Sequence, residues 1–329
     1  MTGGNMMRGL SIAAAVLACV ACAGARAQSW PERPVTFVVS NGAGSSPDVM
    51  ARLLGAKLEP LLGQGIVVET KPGAGNVIGA MNVARAQPDG YRLFFATSAA
   101  LAANPFMMKK LPYDPLKDFE PVALLGRTNQ FIVVHRDVPA KTLADLVAID
   151  RAKPGAYSIA IDGPRNLAGV TAQAFNFHAG TKLVYVTYPN IMNGLQDTVA
   201  GRVQAGVFPV AIAEAFVREG TLRALAVAGL KRVSAFPDVP AAAETLKDFD
   251  FSGWFVLMAP AGTPKEIVAK LNAAVNTAMR DPQIVAMAPK LGYEFDPGGV
   301  GSPDDARKFI EQQLVFWEKT TKQLEIEPE

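Results

Sequence analysis

Two doubly wound, Rossmann-like α/β domains with a ligand cleft between them are the fold that this sequence predicts. Three observations point there. Strand and helix signals alternate almost throughout. Two glycine- and serine-rich segments each lie between a β-branched apolar run and an amphipathic helical pattern. A chain of 329 residues is also large for one hydrophobic core and suits two. Doubly wound domains bind ligands beyond the carboxyl ends of their strands, so two facing domains enclose a cleft.

In chain order, residues 35–39, 66–69 and 92–96 read as strands, separated by helices over 47–62 and 77–87, the βαβαβ order of a parallel sheet. Ser46 is suited to cap the first helix with Pro47 at its first position, and Asp48 complements the positive helix end. Asn76 is suited to cap the second. Another series begins near Phe131: strands at 132–135, 157–161, 183–187, 203–208 and 222–227, with helices at 143–153, 169–178, 191–200 and 213–219. The apolar run 252–259, with Trp254 and Phe255, reads as a further strand. Helices at 264–280 and 303–323 follow, the first with Ile267, Leu271, Val275 and Ala278 at helical spacing. The domains are placed at 28–126 with 250–329, and at 127–249, with crossings near 122–131 and 249–255.

The first 27 residues read as an export signal: Arg8, an apolar run over 10–23, and Ala25-Arg-Ala27 as a small-x-small cleavage site. The run is shorter than the roughly 20 residues that span a bilayer. A membrane anchor, or a lipid on Cys19 or Cys22, is the alternative, but the residues before either cysteine fit a lipid-attachment box poorly. Cleavage after Ala27 leaves 302 residues, none of them cysteine, hence no disulfide, thiolate metal site or cysteine nucleophile. Arg8 and Arg26 leave too, so 30 Lys and Arg balance 30 Asp and Glu. That balance gives no basic surface for nucleic acid or anionic membrane.

The segments Asn41-Gly-Ala-Gly-Ser-Ser-Pro-Asp48 and Pro72-Gly-Ala-Gly-Asn-Val-Ile-Gly79 gather backbone N–H groups at positive helix ends, which suits an anion. Lying one βα unit apart, they are expected to aim at the same ligand group. A dinucleotide fingerprint fits poorly, because the spacing is G-x-G-x-x-x-G and the next strand closes on Thr97 and Ser98 without an acid. No Gly-Lys-Ser/Thr element exists for a P-loop. His135 and His178 are the two histidines, and each sits where a structural role suits it. Metal-ligand spacing and a Gly-x-Ser-x-Gly elbow are both missing from the sequence.

Ser40, Asn41, Ser45, Ser46, Asn76 and Ser98 fall at strand ends, as ligand contacts or as caps of their own helices. Asp162-Gly-Pro-Arg165-Asn166 follows a second-domain strand. Arg165 offers a planar fork for a carboxylate, unless it is an exposed loop residue or pairs with Asp162. Tyr188 and Phe208 end the next two strands, as an apolar wall or as core.

These residues resemble the solute-binding receptors of tripartite tricarboxylate transporters, the Bug family. The resemblance rests on Trp30-Pro-Glu-Arg-Pro-Val35, Ala43-Gly-Ser-Ser-Pro-Asp48, Val49-Met-Ala-Arg-Leu-Leu54, Pro72-Gly-Ala-Gly75 and Pro88-Asp-Gly-Tyr91. It continues in Leu111-Pro-Tyr-Asp-Pro115 and in segments 222–227, 236–240 and 259–264. It implies a type II, periplasmic binding protein-like fold without cofactor, metal or enzymatic activity. It also implies hinge closure on a small carboxylate, delivered to membrane permease subunits, and a monomer is expected. By the same resemblance Ala43, Gly44, Ser45, Ser46 and Asp48, with Gly73, Ala74, Gly75 and Asn76, hold one carboxylate through backbone N–H groups and bridging water. The sequence departs from the family at Asn41, Ser45 and Pro47, and in the second domain at Gly163-Pro-Arg-Asn166, Tyr188-Pro-Asn190 and Phe208-Pro209. The first anion site is expected to be kept and the far side rebuilt, with Asp162, Arg165, Asn166, Tyr188 and Phe208 facing the rest of the ligand. A dicarboxylate, aliphatic or aromatic, fits that arrangement. A binding protein that signals to a partner, or an exported enzyme, is the competing class.

Overall fold

The computed structural model describes residues 30–295 and 299–328. The expected export signal, with Cys19, Cys22 and the cleavage point after Ala27, lies outside them. The first half runs β1 (Val35–Val39), α1 (Ser46–Leu62), β2 (Ile66–Thr70), α2 (Val77–Ala84) and β3 (Arg92–Thr97). A π-helical turn, Ala99–Ala103, then leads into α3 (Asn104–Met107) and β4 (Phe119–Thr128). The second series is β5 (Gln130–His135), α4 (Leu143–Ala152), β6 (Ser158–Ile161), α5 (Leu167–Ala179), β7 (Val184–Thr187), α6 (Ile191–Val199), β8 (Ala205–Pro209), α7 (Val210–Arg218) and β9 (Leu222–Val227). The chain returns through β10 (Gly253–Pro260), α8 (Lys265–Met279), α9 (Pro282–Met287), β11 (Tyr293–Glu294) and α10 (Pro303–Gln323).

These elements build two sheets, ordered β11-β4-β10-β3-β1-β2 and β7-β6-β8-β5-β9. Neither is the purely parallel sheet that the βαβαβ pattern suggests. β10 pairs antiparallel with both β3 and β4, and β5 pairs antiparallel with both β8 and β9. In each sheet the antiparallel strand is one that borders a crossing between the sheets, so it enters from the opposite end. β4 was not expected as a strand: Pro121 and Gly126 interrupt its apolar run, and its pairing with β10 carries two register shifts.

The pairing register brings the carboxyl edges of the two sheets together. β4 ends at Thr128 and β5 begins at Gln130, which is opposite Pro209 at the end of β8. On the return, Gly253 at the start of β10 is opposite Thr128. Asn129 therefore joins these carboxyl edges directly, and what lies at the ends of β1, β2 and β3 faces what lies at the ends of β6, β7 and β8.

Apolar burial fixes this frame. Every residue of β10 is buried, as befits a strand covered on both faces. Phe37, Phe95 and Phe255 pack on one face of the first sheet, and Phe94, Phe119 and Trp254 on the other. Each such ring contributes about 1.5–3 kcal/mol. Trp254 also donates Nε1–H to Gln313 Oε1 at 2.8 Å, which anchors α10. In the second domain Phe131, Val133, Leu195 and Val227 form the core with Phe208. Capping boxes start α4 (Thr142 with Asp145) and α10 (Ser302 with Asp305).

Candidate functional site

The first loop leaves β1 at Ser40 and enters α1 at Ser46. Ala43 and Gly44 are exposed, while Ser46 and Asp48 are buried beneath them. Asp48 is committed within the loop: one oxygen accepts the Gly44 N–H at 2.9 Å, and the other lies 2.9 Å from the Arg52 guanidinium one turn on. Its carboxylate shapes the loop through a hydrogen bond on one oxygen and an ion pair on the other.

Ser46 is not the helix cap that the sequence suggests. Ser45 holds the N-cap position with extended backbone, and no side chain caps the helix. Ser46 turns inward instead, its Oγ 3.3 Å from Thr128 Oγ1 and 3.0 Å from Tyr293 OH, while Tyr293 donates to the Ser46 carbonyl at 2.6 Å. Burial pushes the Tyr293 phenol well above its ordinary pKa, so it stays a donor. The start of α1 is thus pinned to the end of β4 and to β11. Tyr293→Phe should cost about 1–3 kcal/mol in chemical denaturation, because it leaves a buried carbonyl and hydroxyl short of a partner. A change within about 0.5 kcal/mol would show that the pin is dispensable.

The second loop passes through positive φ at Gly73, Ala74, Gly75 and Asn76 in succession. A left-handed conformation is costly for Ala74 and better tolerated by Asn76. The expected side-chain cap from Asn76 is not made. Its Oδ1 accepts from Ser40 Oγ at 3.0 Å, so the two loops are tied to each other. Gly79 makes this possible: a Cβ there would lie 2.8 Å from the Ser40 Cα. Behind the loop, buried Asn104 donates to the Gly75 carbonyl at 2.7 Å and to Tyr113 OH at 3.3 Å. Burial raises the Tyr113 pKa to about 12, and Tyr113 donates to the Ala100 carbonyl.

Ser98 is buried at the end of β3. A Cβ built on Gly253 would meet Leu167 of α5 at 2.7 Å, Thr128 at 2.8 Å and Ser98 Oγ at 3.7 Å. The first-domain edge therefore touches the start of α5 at this point. The loop before α5 holds Asp162, Arg165 and Asn166. Asn166 closes it, donating its side-chain N–H to the Asp162 carbonyl at 2.9 Å and its backbone N–H to the Gly163 carbonyl at 3.3 Å. Arg165 is partly buried on the same turn. Burial drives the Asp162 carboxyl up to about 7, against the pull of backbone N–H groups that include Gly169 and Ala168.

Two expected contacts sit elsewhere. Phe208 is fully buried in the second-domain core, its ring folded over Gly206, so its side chain forms no wall. A strand-end aromatic beside a glycine turns inward because the missing Cβ leaves it room. Tyr188 lies against Gly194 of α6 and donates its hydroxyl to Asp197 at 2.8 Å, an acid that Arg202 also holds. Four buried polar atoms in the candidate loops have no hydrogen-bond partner: Asn41 Oδ1, Ser45 Oγ, Asp162 Oδ1 and Asp48 Oδ1, the last of which has its ion pair with Arg52 instead.

Thr128, Asn129, Tyr293 and Asn104 were not singled out in the sequence. Asn129 bonds to the Gly292 carbonyl through both backbone and side-chain N–H, and its own carbonyl accepts from Val210. The only sequence signal for such residues is a polar side chain inside an apolar stretch. Among the described residues no cluster of His, Cys, Asp and Glu could hold a metal, and no helix is long and apolar enough to cross a membrane.

The profile of the tripartite tricarboxylate transporter family receptor, TctC, matches residues 50–326. The sequence is 32% identical to the protein BugT of Bordetella pertussis over 316 residues, which cover 95% of this chain and 96% of that one. An R. palustris protein with adipate superposes at a TM-score of 0.85 with 30% identity, over 91% of this chain and 100% of the other. MatC from Rhodopseudomonas palustris with bound malate superposes at 0.80 with 31% identity, over 88% and 99%.

Proposed function

The chain belongs to the tripartite tricarboxylate transporter receptor family, and from that membership we propose that it is a periplasmic solute-binding receptor that captures a small dicarboxylate by hinge closure. The receptor delivers its solute to the permease of a tripartite transporter and works as a monomer, after removal of a leader near Ala27. The family is one of receptors, not enzymes. The observation that carries the reading is the tie between Ser40 and Asn76, which sets two glycine-rich loops side by side at the amino ends of α1 and α2. Their exposed residues Ala43, Gly73, Ala74 and Gly75 offer backbone N–H groups to one carboxylate, while the Gly44 N–H is held by Asp48. Asn41, Ser45 and Ser98 border that position. Relatives with adipate and with malate support a carboxylate bearing a second acidic end.

In this proposal the domains are 28–126 with 250–329, and 127–249. They swing about Asn129 and the return strand, as two lobes linked by a few segments do. Arg165 takes the far carboxylate, where a charge-assisted contact contributes about 1.5–3 kcal/mol. Thermal-shift screening of small carboxylates is the test. A solute at about 100 times its dissociation constant adds about 2.7 kcal/mol to stability. Failure of every carboxylate to raise the melting temperature would sink the reading. In calorimetry Arg165→Ala should weaken dicarboxylates at least about tenfold while sparing monocarboxylates. Equal loss for both classes would move the far site elsewhere.

A further inference from the structure

The two domains repeat one arrangement. The orders β2-β1-β3 and β7-β6-β8 make β6 the counterpart of β1, and α5 the counterpart of α1. The loops before these helices differ in charge. At α1, Asp48 accepts the Gly44 N–H through one oxygen and pairs with the Arg52 guanidinium through the other, and the backbone at Ala43 is exposed. At α5, the chain has put a carboxylate of its own, Asp162, where backbone N–H groups of Ala168 and Gly169 act on it. Asp162 Oδ1 is closed off from bulk water and has no hydrogen-bond partner. Asn166 spends one side-chain N–H on the Asp162 backbone carbonyl, and no hydrogen bond from it reaches Oδ1.

An ionised carboxylate only accepts hydrogen bonds, so what Oδ1 lacks is a donor. The carboxylate groups of a solute carry none near neutral pH. A hydroxyl or ammonium on its carbon skeleton does. We propose that Asp162 reads a hydroxyl or ammonium group on the solute, so that the receptor selects hydroxy- or amino-substituted carboxylates over their unsubstituted counterparts. This rests on the carboxylate-receptor reading above. The solute's first carboxylate stays with the first-domain loops and its far carboxylate with Arg165, leaving the substituted carbon between them for Asp162. A buried acceptor built for a donor discriminates well, because an analogue without the donor leaves that oxygen desolvated and unpaired.

The test is calorimetric titration near pH 8, where Asp162 is ionised. Succinate, malate and aspartate share one skeleton and differ in a hydrogen, a hydroxyl or an ammonium. Glutarate, 2-hydroxyglutarate and glutamate repeat the comparison one carbon longer. Wild-type protein should bind a substituted acid at least about tenfold more tightly than its unsubstituted parent. Asp162→Asn and Asp162→Ala should bring that ratio to within about twofold. Retained affinity for the parent acid shows that the variant folds. Equal binding of parent and substituted acids by wild type overturns the assignment while leaving the carboxylate receptor standing. So does a preference that survives in both variants. No binding of any of the acids overturns both together.

Discussion

Asp162→Asn is expected to stabilise the folded protein near pH 8 by up to about 4 kcal/mol and to leave it unchanged in strong acid. That figure is the free-energy value of the gap between the ordinary carboxyl pKa of 3.8 and about 7. Below 3.8 the carboxyl is protonated in both the folded and unfolded chain, and folding is indifferent to it. As pH rises from there toward 7, the unfolded chain releases a proton that the folded chain keeps. Stability then falls with rising pH, and the full penalty is in place once the folded carboxyl has ionised. Asparagine never ionises and escapes the penalty. Urea unfolding of both proteins at several pH values from about 3.5 to 8 checks this. The difference between them should open through that interval, whatever the other carboxylates contribute, because those contributions cancel. Parallel curves would mean that the Asp162 environment is wetter than its buried oxygen suggests. A destabilising acid kept at a candidate ligand site is the pattern expected where function competes with stability.

Gly169→Ala should cost about 3 kcal/mol and displace the loop that carries Asp162 and Arg165. A Cβ at this position would run into the Gly163 carbonyl oxygen, and would also lie 2.8 Å from the Gly163 carbonyl carbon and 2.9 Å from the Pro164 Cα. All three are backbone atoms with no rotamer to yield, so the strain falls on the turn itself. Gly163 has φ +134, outside the comfortable range of other residues, and cannot relax freely. Gly65→Ala is the control, since nothing lies within 4 Å of its Cβ position. It should stay within about 0.5 kcal/mol of wild type. A loss below about 1 kcal/mol for Gly169→Ala would show that the turn is softer than its contacts imply.

The regular elements were legible because each follows from local chemistry. Gly63 closes α1 in the left-handed conformation after an apolar stripe of Met50, Leu54 and Leu58. β1 reads as a strand from five consecutive β-branched or aromatic residues. What depends on distant partners was not legible. Nothing in the composition of β5 or β10 says that they run against their neighbours, since strand direction follows from where the chain has come from. The same holds at the site. The glycine-rich loops announce themselves, but the inward turn of Ser46 is decided by Tyr293, 247 residues away. Ser45 and Ser46 look alike as caps, and only tertiary hydrogen bonding separates them. Phe208 illustrates the converse, where Gly206 two residues earlier opened a core position for it.

The crossing between the domains has a further consequence. Gly253 pairs with Thr128, and Arg127 reaches Asp250 at 3.3 Å and Ser252 at 2.8 Å, so the outgoing and returning segments are bound side by side. Two antiparallel segments bound side by side resist sliding past each other, and rotation across them is the motion that the proposed closure would use. Under the hinge closure proposed above, a solute between the lobes has mainly that coordinate to immobilise. On that proposal the entropy surrendered on capture is chiefly that of one hinge, and more of the contact free energy is left over as affinity.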